Sequence, residues 1–196
     1  MRIGDVEYTL IYEFKLAELF ERRAQRPWWK TMLLTVALLA FGLGLGYLFG
    51  ELFGRSLVSA SPFTLVLVLA FTFTVHEGIH GFFFWIFGGK PTFGMKVIGG
   101  WKNFLWGFVL YATADAFYTR NQYYLIGLSP FVVISLISLM LLFDEPSRIY
   151  AVLAGSANAI GAAGDIYMTA KLRRFSSSIL VRDTADGYEI YDRGNR

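Results

Sequence analysis

The stretch PFTLVLVLAFTFTVHEGIHGFFFWIF, residues 62–87, decides the fold. It is apolar along almost its whole length, and a helix needs about 20 such residues to cross a bilayer. The two histidines of the chain both lie in it, within His76-Glu77-Gly78-Ile79-His80. On a helix this H-E-x-x-H pattern places two imidazoles one turn apart on the same face, with a carboxylate beside them. The pattern is typical of zinc hydrolases. The alternative is a pair of buried structural histidines, but ionisable groups inside a membrane are usually functional.

The composition places the rest of the chain in a membrane as well. Hydrophobic residues make up 55% of the sequence and charged residues 17%, whereas a soluble domain has about 25% charged residues. Three further stretches, residues 31–53, 121–143 and 149–170, are long and apolar enough to cross a bilayer. We therefore predict an all-α integral membrane protein with about four transmembrane helices.

The basic residues predict the orientation of these helices. They are concentrated in the N-terminal segment, in the loop after the second span and in the tail, whereas the other two loops hold only Arg55 and Arg148. By the positive-inside rule we expect a protein of the cell membrane with both termini on the cytosolic side. The predicted domains are a cytosolic or interfacial segment (1–30), a membrane domain with the metal site (31–172) and a cytosolic tail (173–196). The net charge of +3 then reflects topology and contact with anionic lipid, and no nucleic-acid partner is expected.

Two segments have the pattern of β-structure. Residues 92–114 contain four glycines and two runs of alternating apolar residues, which predicts a β-hairpin or a re-entrant loop after the second span. Such backbone must be shielded by protein or line a wet cavity, and its edge could pair with an extended peptide. A structural plug between helices is the alternative. Residues 178–191 place two β-prone runs around Asp186-Gly187, which predicts a small cytosolic hairpin.

Two shorter features complete the pattern. The alternating apolar residues from Val6 to Phe14 favour a strand or coil, followed by an interfacial helix over residues 15–26. Pro130 lies within the third span, where it is expected to bend the helix and to release a backbone carbonyl from its usual hydrogen bond.

A catalytic zinc normally has three protein ligands, so the two histidines need a partner. The chain has no cysteine, and the carboxylates inside the spans are Glu51, Glu77 and Asp165. Glu77 lies between the histidines, where it can act as the base, and Glu51 is at the opposite end of its span. Asp165 remains, and it lies about 9 Å inside the cytosolic end of its span, compared with about 12 Å for His80, at roughly 1.5 Å per residue. A salt bridge to a cytosolic Lys or Arg is the alternative role for Asp165.

The fourth span is suited to close helix packing, because small residues surround Asp165. Asn158 lies seven residues before Asp165, on the same face of the helix as Ala162. It is a candidate for hydrogen-bonding to the substrate or for orienting a metal ligand through a hydrogen bond. A polar contact between helices is the alternative.

These residues resemble the site-2 protease type of intramembrane metalloprotease, in which H-E-x-x-H on one membrane helix is completed by a Gly-Asp on a later one, as in Gly164-Asp165 here. The chain is still more similar to a group of small membrane proteins described as zincin peptidases. That similarity covers most of residues 70–192. Besides the motif pair it includes Gly89-Lys90-Pro91-Thr92-Phe93-Gly94, Ser129-Pro130, the spacing from Asn158 to Asp165, and Val181-Arg182-Asp183.

The sequence thus predicts a zinc-dependent protease that hydrolyses peptide bonds within or next to the membrane. His76, His80 and Asp165 are the expected Zn²⁺ ligands and Glu77 the expected general base. The expected partners are a membrane protein or peptide substrate and the lipid bilayer. Two alternatives remain open: a zinc hydrolase of a lipid or small amphiphile, and a non-catalytic metal-binding membrane protein.

Overall fold

The computed structural model describes residues 2–3, 6–15, 61–97, 108–185 and 187–193. Within these residues it contains four helices and two β-sheets. The helices are α1 (Pro62–Ile86), α2 (Arg120–Leu141), α3 (Arg148–Gly161) and α4 (Ala163–Leu172). The strands are β1 (Arg2–Ile3), β2 (Val6–Lys15), β3 (Pro91–Val97), β4 (Phe108–Ala114), β5 (Phe117–Thr119), β6 (Leu180–Thr184) and β7 (Gly187–Arg193). The architecture is mixed α and β, so the all-α prediction does not hold.

Two helices are long and apolar enough to cross a membrane, over Phe63–Ile86 and Arg120–Leu141, and α3 with α4 makes a third if the bent pair is one span. This indicates membrane association. The first predicted span, residues 31–53, and Glu51 lie outside the described residues. The fourth predicted span is not one continuous helix in the structure. The first helix, α3, ends at Gly161, and a second helix, α4, begins at Ala163.

Local signals determine both ends of α1. The hydroxyl of Ser61 accepts a hydrogen bond from the Thr64 amide, and Pro62 follows at the first helical position, where its missing N–H costs nothing. At the other end the Gly88 amide donates to Trp85 and the Gly89 amide to Phe84. This is a Schellman motif, and it needs the positive φ of Gly88, +88°. The helix therefore ends at Ile86, and β3 begins at Pro91, two residues after Gly89.

The larger sheet joins the two ends of the chain. Its five strands run in the order β1-β2-β7-β6-β5, and every neighbouring pair is antiparallel. The hairpin predicted in the tail is confirmed as β6 and β7. Of the strand or coil predicted for Val6 to Phe14, the structure has the strand, β2. The predicted interfacial helix lies outside the described residues, except that Lys15 ends β2.

The smaller sheet is the antiparallel hairpin of β3 and β4, with Pro91 opposite Ala114 and Val97 opposite Phe108. Of the two structures predicted for residues 92–114, the strands favour the β-hairpin. Residues 98–107, which connect the two strands, lie outside the described part of the chain.

The chain divides into two compact units. The first comprises Met1–Glu21, Glu77–Pro130 and Ala163–Arg196, and so holds both sheets and α4. Its core is mostly aromatic and β-branched: Phe14, Phe84, Ala114, Tyr118, Tyr123, Ile126, Leu172, Ile179, Val181, Tyr188 and Ile190. The second comprises Arg22–His76 and Phe131–Ala162. In it α3 lies close to α2, since a Cβ on Gly155 would be 3.2 Å from the Cβ of Ser138.

Candidate metal centre

The H-E-x-x-H motif lies on α1, as predicted, and both imidazoles are buried. His76 is 4% exposed and His80 is 8% exposed. Both lie on α1, and their spacing of four residues places them one helical turn apart. A buried imidazole needs a partner for each ring nitrogen, and those partners define the site.

The partner of the His80 Nδ1 is the carbonyl oxygen of Ile126, at 2.9 Å. Ile126 lies four residues before Pro130 on α2, and proline has no N–H to donate to that carbonyl. The predicted release of a carbonyl is thus found at Ile126, which also accepts a hydrogen bond from the Ser129 hydroxyl. Because a carbonyl only accepts, the His80 Nδ1 carries the hydrogen, and the Nε2 lone pair points elsewhere.

The His80 Nε2 lies 3.4 Å from Oδ2 of Asp165, in the first turn of α4. A lone pair and a carboxylate at this distance repel each other unless a proton or a cation lies between them. Two ligands about 2.05 Å from a tetrahedral zinc ion would be about 3.3 Å apart. The separation therefore suits a shared metal ion.

His76 is arranged in the same way. Its Nδ1 lies 2.9 Å from Oδ1 of Asn158, and the Asn158 Nδ2 donates to the carbonyl of Phe131 at 3.3 Å. The second contact identifies which end of the amide is the oxygen, so the His76 Nδ1 must be the donor. Both histidines thus donate a hydrogen bond from Nδ1–H to an oxygen, which leaves the Nε2 lone pair available to a metal ion. Metal-binding histidines commonly have this tautomer.

One nitrogen of each histidine and one Asp165 oxygen all lie within 4.8 Å of one another. The donor set is two imidazoles and a carboxylate, which leaves a fourth position for water, as catalytic zinc sites require. The residues present therefore fit a zinc ion. His76, His80 and Asp165, the ligands expected from the sequence, therefore lie together in the structure.

Asn158 is completely buried, with 0% exposure, and contacts His76. This is the placement needed to orient a metal ligand. We expect Asn158→Leu, which removes the acceptor but keeps the bulk, to weaken zinc affinity roughly tenfold or more. A competition titration with a chromogenic chelator measures this. Asn158→Asp, which keeps an acceptor oxygen, should retain most of the affinity, and equal affinity of the Leu variant and wild type would contradict the orienting role.

The close approach of α4 to α2 places Asp165. A Cβ on Gly127 would be 2.5 Å from Cγ2 of Thr169, so only glycine allows this separation. Thr169 lies one turn after Asp165, and its hydroxyl donates to the Asp165 carbonyl at 2.7 Å. Gly127 is next to Ile126, so the same turn of α2 orients His80 and admits the helix that carries Asp165.

A cavity of about 110 Å³ opens beside His80 and Asp165, and Glu77 lines it. The other lining residues come from three directions: the β3–β4 hairpin, α2 with α4, and the turn after β6. They are Phe84, Lys96, Leu110, Tyr111, Ala112, Tyr123, Ile126, Gly127, Met168, Thr169, Asp183, Thr184, Ala185 and Gly187. The cavity therefore brings the Glu77 carboxylate and two of the candidate metal ligands, His80 and Asp165, to the edge of one empty space.

Asp183 is the cavity carboxylate for which the sequence predicts no role in the candidate site. It lies in β6 two residues after Val181, which is in the core, so its side chain is on the inward face of the strand. A carboxylate at a core-facing position of a strand was the signal that could have identified it. Burial raises its pKa from 3.8 to about 7, although hydrogen bonds from Tyr123 and Thr113 oppose that change.

The raised pKa predicts how stability depends on pH. Between about pH 4 and pH 7 folded Asp183 holds a proton that the unfolded chain has lost, so its contribution to stability falls as the pH rises across this range. Asp183→Asn should therefore stabilise the zinc-free protein near pH 8 by up to about 4 kcal/mol, at about 1.4 kcal/mol per pKa unit, and by much less near pH 4. Thermal unfolding in neutral detergent with a chelator measures this. A stability difference that does not change with pH would contradict it.

Comparison with known families adds the context for this geometry. Residues 69–180 match the family described as "putative zincin peptidase", and the match covers more than half of the chain. The chain belongs to this family. The matched region includes the whole H-E-x-x-H motif, Asn158 and Asp165. No curated protein and no solved structure matches the chain. Membership of a zincin family indicates a zinc-dependent peptidase, and hence a hydrolase.

Proposed function

We propose that the protein is a zinc-dependent protease of the site-2 type that cleaves peptide bonds within or next to the membrane. The observation that carries the proposal is the separation of 3.4 Å between the His80 Nε2 and the Asp165 Oδ2. Each partner is held by the fold, and the cavity that Glu77 lines lies beside them. His76 would complete the ligand set from the preceding turn of the same helix.

Each residue would have a defined task in the reaction. His76, His80 and Asp165 would hold the metal, and the contacts from Ile126 and Asn158 would keep the imidazoles in the required tautomer. Zinc bound there would act as a Lewis acid, which polarises the scissile carbonyl and lowers the pKa of water so that it can lose a proton and attack that carbonyl. Glu77 would accept the proton of the attacking water and pass it to the leaving amine.

The apolar exterior supports a site at membrane depth. Large hydrophobic side chains face outward along the two long helices, among them Phe63 and Met140, each 71% exposed. On a soluble protein such surfaces would aggregate, whereas in a bilayer they contact lipid. Since the motif is on α1, a spanning α1 would place the metal centre below the membrane surface. The distribution of basic residues supports an orientation with both termini in the cytosol.

The β3–β4 hairpin favours a peptide as the substrate. Lys96 from β3 and Leu110, Tyr111 and Ala112 from β4 line the cavity. A peptide must be extended for its amide bond to be cleaved, and a strand beside a cavity can hold an extended peptide by main-chain hydrogen bonds. A lipid has no peptide backbone and could not form these main-chain hydrogen bonds with a strand edge.

Purified protein in liposomes tests the proposal directly. It is incubated with a panel of transmembrane peptides and, separately, with a panel of phospholipids and lysolipids, with and without a zinc chelator. We expect chelator-sensitive peptide products by mass spectrometry and intact lipids. Lipid hydrolysis with intact peptides would support the amphiphile hydrolase instead, and bound zinc without any product would support a non-catalytic metal-binding protein.

A further inference from the structure

Asp183 lies at the point where the larger sheet meets the cavity. Side chains alternate between the faces of a strand, so Asp183 and its neighbour Arg182 point in opposite directions. Arg182 forms ion pairs with Asp115, at 2.8 Å, and with Glu189, at 3.4 Å. Asp183 faces inward instead and lines the same cavity as His80 and Asp165.

Hydroxyl groups hold the Asp183 carboxylate in a defined orientation. The Tyr123 hydroxyl donates to Oδ1 at 2.5 Å, and the side chain of Thr113 also hydrogen-bonds to Asp183. Tyr123 is on α2 and Thr113 on β4, so helix, hairpin and sheet all position this one group. Hydroxyls orient a carboxylate but do not neutralise it.

Among the residues that the structure describes, no Lys or Arg forms an ion pair with Asp183. Lys96 of β3 also lines the cavity, but it forms no ion pair with Asp183. Keeping a carboxylate in a partly desolvated cavity without a cation is unfavourable for the fold. The proposed hydrolysis assigns tasks to Glu77 and Asp165 and none to Asp183.

We propose that Asp183 is a specificity residue, whose carboxylate binds an ammonium or guanidinium group of the peptide next to the cleaved bond. The positive group is either a Lys or Arg side chain or a free α-amine. This inference rests on the proposed peptidase function and names the substrate class of the same site. An incoming cation would complete the hydrogen bonds of Asp183 and balance its charge, so cationic peptides are selected over neutral ones.

Peptide hydroxamates test this without relying on the natural substrate, because the hydroxamate binds zinc and anchors the probe. Binding to the zinc-loaded full-length protein in neutral detergent is measured for acetyl-Leu-Lys hydroxamate and acetyl-Leu-norleucine hydroxamate. We expect the lysine probe to bind about tenfold more tightly. Unacetylated Leu-norleucine hydroxamate forms the second arm, and a preference for it over the acetylated probe identifies the α-amine as the source of the charge.

Two variants separate specificity from structure. In Asp183→Asn both preferences should fall to about one, with unchanged zinc content and unchanged affinity for the acetylated norleucine probe. Asp115→Asn, which removes a carboxylate outside the cavity, should keep the wild-type preference. A merely structural Asp183 would weaken all probes equally. Equal binding of charged and neutral probes to wild type, or a preference that survives in Asp183→Asn, would overturn the inference and leave the zinc site intact. Failure of every hydroxamate to bind would contradict the zinc site itself, and the inference with it.

Discussion

Glu77→Gln is expected to lower the rate of peptide hydrolysis by about 10²–10⁴-fold while the protein keeps its zinc. Glutamine has the same shape as glutamate but cannot accept the proton of the attacking water. Because Glu77 is assigned the proton transfer and not metal ligation, the ligand set of two histidines and Asp165 is unaffected. Initial rates on the best peptide of the panel, together with metal analysis of the same preparation, measure both parts.

Glu13→Gln serves as the matched control, since Glu13 lies on β2 and pairs with Lys15. It should retain the wild-type rate. Continued cleavage by Glu77→Gln at a wild-type rate would remove Glu77 from the role of base, whatever the metal content. Loss of zinc together with activity would show instead that Glu77 is a ligand.

Asp165→Ala is expected to reduce the bound zinc from about one ion per chain to about a tenth of that after dialysis against micromolar chelator. The substitution removes the carboxylate that completes the site and leaves the two imidazoles, which by themselves hold zinc weakly. Inductively coupled plasma mass spectrometry of the purified protein measures the occupancy. Helix content from circular dichroism shows whether the fold survives.

Asp144→Ala provides the comparison, because Asp144 lies in the loop before α3, where it accepts a hydrogen bond from the Ser147 amide. Its zinc content should equal that of wild type. Full zinc occupancy in Asp165→Ala would exclude Asp165 as a ligand and would remove the bridge between α1 and α4 on which the proposed site depends.

The site was largely predictable from sequence because its parts are local or scarce. The spacing of His76 and His80 is determined by one helix, and Asp165 is the remaining carboxylate of the predicted spans that lies at the right predicted depth. Pro130 signalled a released carbonyl, which the structure identifies as that of Ile126. What could not be predicted was that this carbonyl would orient His80, since that contact depends on how α1 and α2 pack.

The sheet was harder to predict because its pairings are long-range. The alternation over residues 6–14 indicates a strand, but nothing local shows that Phe14 pairs with Tyr188 near the other end of the chain. The close approach there depends on Gly187, whose φ is +151° and whose missing Cβ makes room for the Phe14 carbonyl. Asp183 was overlooked for the same reason, since its neighbours Tyr123 and Thr113 are distant in sequence.

The helix break at Ala162 could not be predicted from the sequence, because the hydropathy stays high on both sides of it. Gly161, Ala162, Ala163 and Gly164 are all small, and such a run suits close packing as well as a break. The break places Asp165 in the first turn of a new helix, where the helix dipole favours a carboxylate. An uninterrupted span would not have given Asp165 this favourable position.

X-ray absorption at the zinc edge of the loaded wild-type protein tests the central claim, that His76, His80 and Asp165 share one metal ion. The predicted spectrum has a first shell of nitrogen and oxygen at about 2.0–2.1 Å, with the multiple scattering of two imidazoles and no sulfur. A shell with only one imidazole, or with none, would contradict the claim.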